Sequence, residues 1–436
     1  MTGIAPVKPL RVAICGGGIS GLCLAVALCR FSHIKVDVYE AAEQFKEIGA
    51  GVMIWSRTWR ILQLLGLADA FSKVAHAPPD GTMGVGFDFR RSDSPNEGYR
   101  FRLVEMPYGC IRFHRAHFLD VLVEHLPKDV AHFGKRVVSY SQPNSNGPVT
   151  IEFADGIDSQ CDVLVACDGI KSTIRGHMYQ TKAKQMKDQS LLSFIEPFWS
   201  GTVAYRGLFP TEKLARSGTS HRALDAPMMY CGQSKHVVSY SIAQGSIVNV
   251  VTFASKPKAE GSQWDGPWVA ECPKAELLEC YAGWEPEVEE LLKNIEQPTK
   301  WAIHQLQPLP FYVMGRVALV GDAAHAMTPH QGAGAGQAIE DAFVLASLLG
   351  RCHDTDNLDS ALKAYEHVRL PLATHVLNGS RMSGKMYEFD SQHGSDYATL
   401  GPAIQGQWDW INWSSPEEDV QRAVDYLKRD TFGSKL

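Results

Sequence analysis

Six residues, Gly16-Gly17-Gly18-Ile19-Ser20-Gly21, constrain the fold more than any other feature, because of what flanks them. The apolar run Leu10–Cys15 leads straight into them. A small-residue helix is expected from Leu22 to Cys29, and a second strand over 35–39 ends at Glu40. Strand, glycine-rich turn, helix, strand and acid together make the β-α-β unit of a dinucleotide-binding fold. Gly16 makes the tight turn, Gly18 lets the backbone approach a pyrophosphate, and Gly21 lets the helix lie close on the strand. Ile19 and Ser20 stand where N–H groups and the partial positive charge of a helix start meet the phosphates. Glu40, about 20 residues on, is placed to hold ribose hydroxyls.

At 436 residues the chain exceeds one ordinary core, so cooperating domains are expected. Its net charge of −6, with dispersed Arg and Lys, excludes the basic footprint of a nucleic-acid protein. It does not exclude a small anionic substrate, for which one buried Arg suffices. The ten cysteines include no C-x-x-C pair, and no charged leader with a long apolar core opens the chain. Reduced thiols in a cytoplasmic protein are therefore expected. His114 and His117 have metal-ligand spacing but no matching Cys or His pair nearby, so no metal site is expected. No apolar run approaches the ~20 residues of a membrane span, so no membrane partner is expected either.

The fingerprint alone does not separate FAD from NAD; two later segments do. Residues 161–175 run as a buried strand into Asp168-Gly169, then Ser172 and Arg175. Residues 316–321 form another strand, followed by Asp322-Ala323-Ala324-His325 and by Pro329-His330-Gln331-Gly332-Ala333-Gly334, with a helix expected from about Ala335 to Leu349. A carboxylate at a strand's end followed by a glycine-lined helix start suits a sugar-like chain and a flavin. The Asp accepts hydroxyl hydrogen bonds, and the helix start faces the negative end of a reduced ring.

These three motifs, in this order and spacing, resemble the class A flavoprotein monooxygenases over roughly residues 8 to 380. The stretch GDAAHAMTPHQGAGAGQAIEDA, with EIGAGV (Glu47 to Val52), AYRGL (Ala204 to Leu208) and the Pro-Leu-Pro at 308–310, is similar to the salicylate hydroxylase branch. The resemblance implies a Rossmann-like FAD-binding domain interleaved with an antiparallel substrate sheet, as in para-hydroxybenzoate hydroxylase, and a helical C-terminal segment. FAD-binding parts are expected at 8–75, 111–190 and 301–380. A substrate-domain excursion is expected at 76–110, the substrate sheet at 191–300, and the helical segment at 381–436. The resemblance further implies flavin contacts at Gly51, Arg115, Asp168, Gly169, Asp322, Pro329, Gly332, Gly334 and Ala335. NADH or NADPH would reduce the flavin without a second fingerprint of its own, and O2 would be the co-substrate.

Between the flavin segments the pattern changes to β alternation, with a hairpin turn at 243–246 between 236–242 and 247–253. Arg206 and Tyr240 fall in mid-strand, where a charge or a phenol calls for a partner, and the resemblance turns both toward the substrate. The implied activity is hydroxylation of a small phenolic acid through a flavin C4a-hydroperoxide, with His330 as the base that takes the phenol proton. Trp55, Phe209 and Phe253 are expected as water-excluding walls. A decarboxylating hydroxylation of salicylate to catechol leads. 4-Hydroxy- or 4-aminobenzoate 1-hydroxylation and a non-decarboxylating phenol hydroxylase stand as alternatives within the class. A flavin reductase or oxidase and a non-catalytic flavin-binding protein stand outside it. The chain is expected as a monomer or homodimer, with a tail (Trp408, Trp410, Trp413) that packs on the body and carries no chemistry.

Overall fold

The computed structural model describes residues 8–45, 50–144, 147–215 and 221–433; Glu47, Ile48 and Gly49 of the EIGAGV stretch lie outside these. Strand Leu10–Cys15 pairs in parallel with Ile34–Tyr39 on one side and Val163–Ala166 on the other. Val317–Leu319 continues the parallel sheet, and Val313–Met314 closes its edge antiparallel. Ala131–His132 lies at the opposite edge, completing six strands. The crossover helix spans Ile19–Leu28, three residues earlier than the apolar pattern suggests. Serine and glycine conceal its first turn from a hydrophobicity reading, although both residues fit a helix start.

An eight-stranded sheet forms the second layer. Its order is Val269–Glu271, Thr299–Gln305, Phe198–Pro210, Ile247–Ser255, Lys235–Ile242, Met228–Gly232, Met83–Arg91 and Tyr99–Pro107. One pair departs from the expected antiparallel pattern: Met228–Gly232 runs parallel to Met83–Arg91. A parallel pair needs a long crossover, and here the whole chain between 91 and 228 supplies it. Thr299–Gln305 carries the sheet past residue 300.

The sheet has two faces because side chains alternate along a strand. Val203, Val237, Val248 and Val250 join an outer core with Leu277, Tyr281 and Trp284. Ala204, Val238, Tyr240 and Phe253 turn the other way, into a core shared with Trp55, Tyr387, Trp408 and Trp410. Helix Leu358–Tyr387 runs along the inner side, packed on helix Gly334–Leu349 and on the C-terminal helix Pro416–Gly433. Among the described residues no helix is long and apolar enough to cross a membrane.

Candidate active site

The glycines of the fingerprint divide into two kinds. Gly16 holds φ +113°, and a Cβ there would run into the Cys167 carbonyl; a Cβ at Gly21 would run into the carbonyl of Gly16. These two serve the close approach of helix to strands. Around Gly18 nothing lies within 4 Å of where a Cβ would stand. Gly18 caps the helix without a side-chain hydrogen bond, so the first-turn N–H groups stay available to an anion. Gly18, Ile19 and Ser20 line a cavity of about 400 Å³. Glu40 sits below the turn and does not line the cavity; its carboxylate accepts from the Gly17 N–H at 2.7 Å and the Ala42 N–H at 2.8 Å.

Asp168 stands at the C-terminal end of its strand. Its Oδ2 accepts from the Ile174 N–H at 3.2 Å, while Oδ1 is buried with no hydrogen-bond partner. Burial pushes its pKa up. Ser172 caps the next helix by accepting from the Arg175 N–H. The Arg175 guanidinium donates to the carbonyls of Ile170, Ile195 and Ala323, joining the Asp168 turn to the Asp322 turn.

The Asp322 turn rests on a buried ionic network that sequence reasoning missed. Gly321 N–H donates to Asp341 Oδ2 at 2.9 Å, and His325 Nε2 meets the same oxygen at 2.6 Å. Arg369 donates to Asp341 Oδ1 at 2.8 Å and to Glu340 at 2.9 Å. Arg57 pairs with Glu340 and with Asp419 of the C-terminal helix. Burial opposes ionisation of Asp341, but His325 and Arg369 prevail and hold its pKa below the ordinary carboxylate value. A Glu-Asp pair inside an apolar helix was the available signal.

The roof follows from register. Arg206 stands opposite Val251, Val251 opposite Val238, and Tyr240 opposite Asn249. Arg206, Tyr240, Phe253, Trp301 and Ile303 all line the cavity. The Arg206 guanidinium lies 4.9 Å from the Trp301 ring centroid, and no carboxylate partners it among the described residues. Burial presses its pKa down; Tyr240 works against that shift and Arg115 with it. Tyr240 covers Gly51, where a Cβ would stand 2.5 Å from the phenol oxygen, and the Gly51 N–H donates to Asn249 at 3.0 Å. Burial raises the Tyr240 pKa, with Arg206 and Arg112 pulling it back. Arg112, a second mid-strand arginine, was overlooked although it gives the same signal as Arg206.

His330 sits in the turn Pro329–Gln331, its ring 5.0 Å from Phe253 and 5.1 Å from His236. Burial lowers its pKa to about 3, and its Nδ1 is buried without a partner. Of the three expected walls only Phe253 lines the cavity. Phe209 points to the outer core, because it differs by an odd number of positions from Arg206. Trp55 lies behind the cavity and binds the Gln331 carbonyl. Met53, Phe87, Met229, Val238, Val251 and Met327 supply most of the apolar lining instead. The tail is closer to the site than expected: Trp408 and Trp410 both hold Gln331.

Gly18, Ile19, Ser20, Gly51, Arg115, Gly169, Arg206, Tyr240, Asp322, Pro329, His330, Gly332, Gly334 and Ala335 thus meet on one cavity, while Gly16, Gly21, Glu40 and Asp168 stand beside it, outside the lining. His114 and His117 pack ring on ring, 4.7 Å apart; among the described residues no cluster of three His, Cys, Asp or Glu could hold a metal.

Comparison with known proteins agrees with this geometry. The family described as "FAD binding domain" matches residues 9–195 and 263–380. The chain is 41% identical to a salicylate hydroxylase of Pseudomonas putida, covering 92% of each chain. It is 35% identical to a 6-methylsalicylate 1-monooxygenase of Aspergillus terreus, over 95% of this chain and 91% of that one. Among solved structures, a salicylate hydroxylase substrate complex superposes with a TM-score of 0.84 at 35% identity, covering 95% of this chain and 98% of the other.

Proposed function

Because this chain belongs to the FAD-binding family of class A flavin monooxygenases and is an FAD-dependent aromatic hydroxylase, we propose that its substrate is a small phenolic acid, hydroxylated with loss of the carboxylate as salicylate gives catechol. Arg206 carries this reading. It is a half-buried guanidinium without a carboxylate partner among the described residues, set in a mostly apolar box. A guanidinium without a carboxylate partner on such a box suits an organic anion, to whose oxygens it offers a fixed fork of donors. The salicylate names of the similar proteins support the choice of acid.

FAD fits the residues present. Open space at Gly18, Gly169 and Gly334 leaves room for a ligand against the backbone, and the unpartnered Asp168 Oδ1 is an acceptor awaiting a donor. Gly18, Ile19 and Ser20 would hold the pyrophosphate, Glu40 would hold the ribose side through the turn, and Gly51, Arg115, Asp168, Gly169 and Asp322 the remaining sugar chain. Pro329, Gly332, Gly334 and Ala335 would lie beside the ring. Bound there, FAD supplies oxygen activation, with NADH or NADPH as electron source and O2 as co-substrate.

The chain's own part is positioning and proton handling. Arg206 anchors the carboxylate, Tyr240 lies beside the anion, and Phe253, Val238 and Val251 keep water from the ring. His330 receives the phenol proton, since an electron-rich phenolate reacts better than a phenol. Salicylate, 4-hydroxybenzoate and 4-aminobenzoate, each incubated with NADH or NADPH and scored by product, test the proposal. Catechol from salicylate is the expected result. Strict preference for a substrate without a carboxylate overturns it.

A further inference from the structure

Behind His330, outside the cavity lining, two buried groups have no part in that scheme. His236 stands on the roof strand opposite Phe253, its ring stacked on the phenyl at 4.5 Å. Its Nδ1 lies 3.0 Å from Glu388 Oε1, and its Nε2 is buried with no hydrogen-bond partner. Glu388 caps the C-terminal end of the long helix and is 4% exposed. The neighbouring His330 ring carries the second orphaned nitrogen, Nδ1. Buried polar atoms without partners are uncommon and call for a reason. Here two such atoms belong to adjoining imidazoles, and the second imidazole ends on a carboxyl group.

We propose, resting on the phenolic-acid reading above, that His330, His236 and Glu388 form a relay that draws the hydroxyl proton of the bound substrate into the protein, with Glu388 as its final acceptor. The phenol O–H bond breaks and its proton goes to a ring nitrogen of His330. His330, whose ring centroid lies 5.1 Å from that of His236 with no hydrogen bond between them, turns toward it and yields a proton to Nε2 of His236, and the Nδ1 proton of His236 forms the new O–H bond on the Glu388 carboxylate. No electrons change hands. One negative charge leaves Glu388 and appears on the phenolate oxygen, so the enclosed site holds the same net charge before and after.

That constancy is the physical argument. Burial lowers both imidazoles to about 3, so neither keeps a second proton and each stays neutral. Burial raises Glu388 to about 7, opposed by the Ser255 hydroxyl and by His330, which leaves it able to give or take a proton near neutrality. The other groups facing it are Cys231 of the sheet, Tyr281 of the outer core and Asp390 of its own segment. No Lys or Arg among the groups acting on Glu388 pins it as a permanent anion.

The test uses the FAD-loaded enzyme and a nitrosalicylate, whose absorbance reports ionisation of its hydroxyl. In the wild type the bound hydroxyl should ionise at least about one pH unit below its value in Glu388→Gln. Product formation in Glu388→Gln at neutral pH should fall on the order of 10²-fold, with the loss shrinking as pH rises. His236→Asn should behave alike, and Glu388→Asp should recover part of the effect. Coincident titrations in the wild type, Glu388→Gln and His236→Asn, with flavin retained, overturn the relay while leaving the substrate reading intact. If Glu388→Gln loses its flavin, His236→Asn and Glu388→Asp decide by the same two readouts. A wild type that binds no phenolic acid overturns both proposals.

Discussion

Trp55 and Trp408, 353 positions apart in the chain, donate their indole N–H groups to one acceptor, the Gln331 carbonyl oxygen, at 3.0 and 3.1 Å. That carbonyl follows His330 directly, so the two donors set where the imidazole stands. Removing one hydrogen bond costs about 1 kcal/mol, whereas leaving a buried acceptor bare costs about 1–3 kcal/mol. Trp55→Phe and Trp408→Phe should each lower the thermal midpoint modestly with flavin retained. The double variant should lose more than the sum. Thermal denaturation of the four-member cycle separates this coupling from the trimmed ring volume, and strict additivity would refute it.

Two glycines of one turn should answer differently to the same substitution. Gly18→Ala meets open space and keeps an ordinary backbone angle, φ −77°. The apoprotein should melt as the wild type does, while flavin affinity falls, by roughly 10-fold or more for each 1.4 kcal/mol of lost contact. Gly21→Ala drives a methyl into the Gly16 carbonyl, so the fold itself should suffer. Calorimetry of the apoproteins beside fluorescence titration with FAD reads both effects.

Replacing Arg206 tests the anion site. Arg206→Lys keeps the charge and loses the fork, and Arg206→Ala loses both. Substrate binding should weaken by about 2–5 kcal/mol in the alanine variant and by less in the lysine variant. Flavin content should stay unchanged in each, and more of the NAD(P)H consumed should end as hydrogen peroxide. Wild-type coupling in both variants would leave Arg206 a packing residue for Trp301.

Stability should depend on pH through Glu388 with a definite sign. A carboxyl raised from 4.5 to about 7 by burial is protonated in the folded chain while the unfolded chain ionises. The stability it contributes is complete below about pH 4.5 and drains away as pH rises to 7, on the order of 3 kcal/mol in all. His236 and His330, lowered to about 3, act oppositely and add stability as pH rises from about 3 to 6.5. Glu388→Gln should therefore gain on the wild type progressively between pH 4.5 and 7. Denaturant midpoints across that range check it; a constant difference would place the Glu388 pKa elsewhere.

Local features were legible from residue order. The strand ending at Cys15, the acid at Glu40 and the helix leading from Gly334 each depend on neighbours within a few turns of chain. Arg206 and Tyr240 were also legible, because an even or odd position on a strand decides the face. The long-range features were not. The parallel pairing of Met228–Gly232 with Met83–Arg91 joins segments more than a hundred residues apart. The network through Arg57, Glu340, Arg369 and Asp419 assembles from four helices. Nothing near Glu388 in sequence signals that a histidine of the roof will meet it. Trp408 and Trp410 looked like tail ballast because their acceptor sits in another motif altogether.

The two-faced roof means that the residues deciding which molecule fits and the residues holding the sheet together occupy alternate places on the same strands. Ala204, Val238 and Val251 can be exchanged for larger or smaller side chains to reshape the box, while Val203, Val237 and Val250 next to them keep the outer core closed. A combinatorial library confined to the inward positions would explore ring size and substituent pattern at little risk to folding. The roof is in that sense an adjustable mould on a permanent frame.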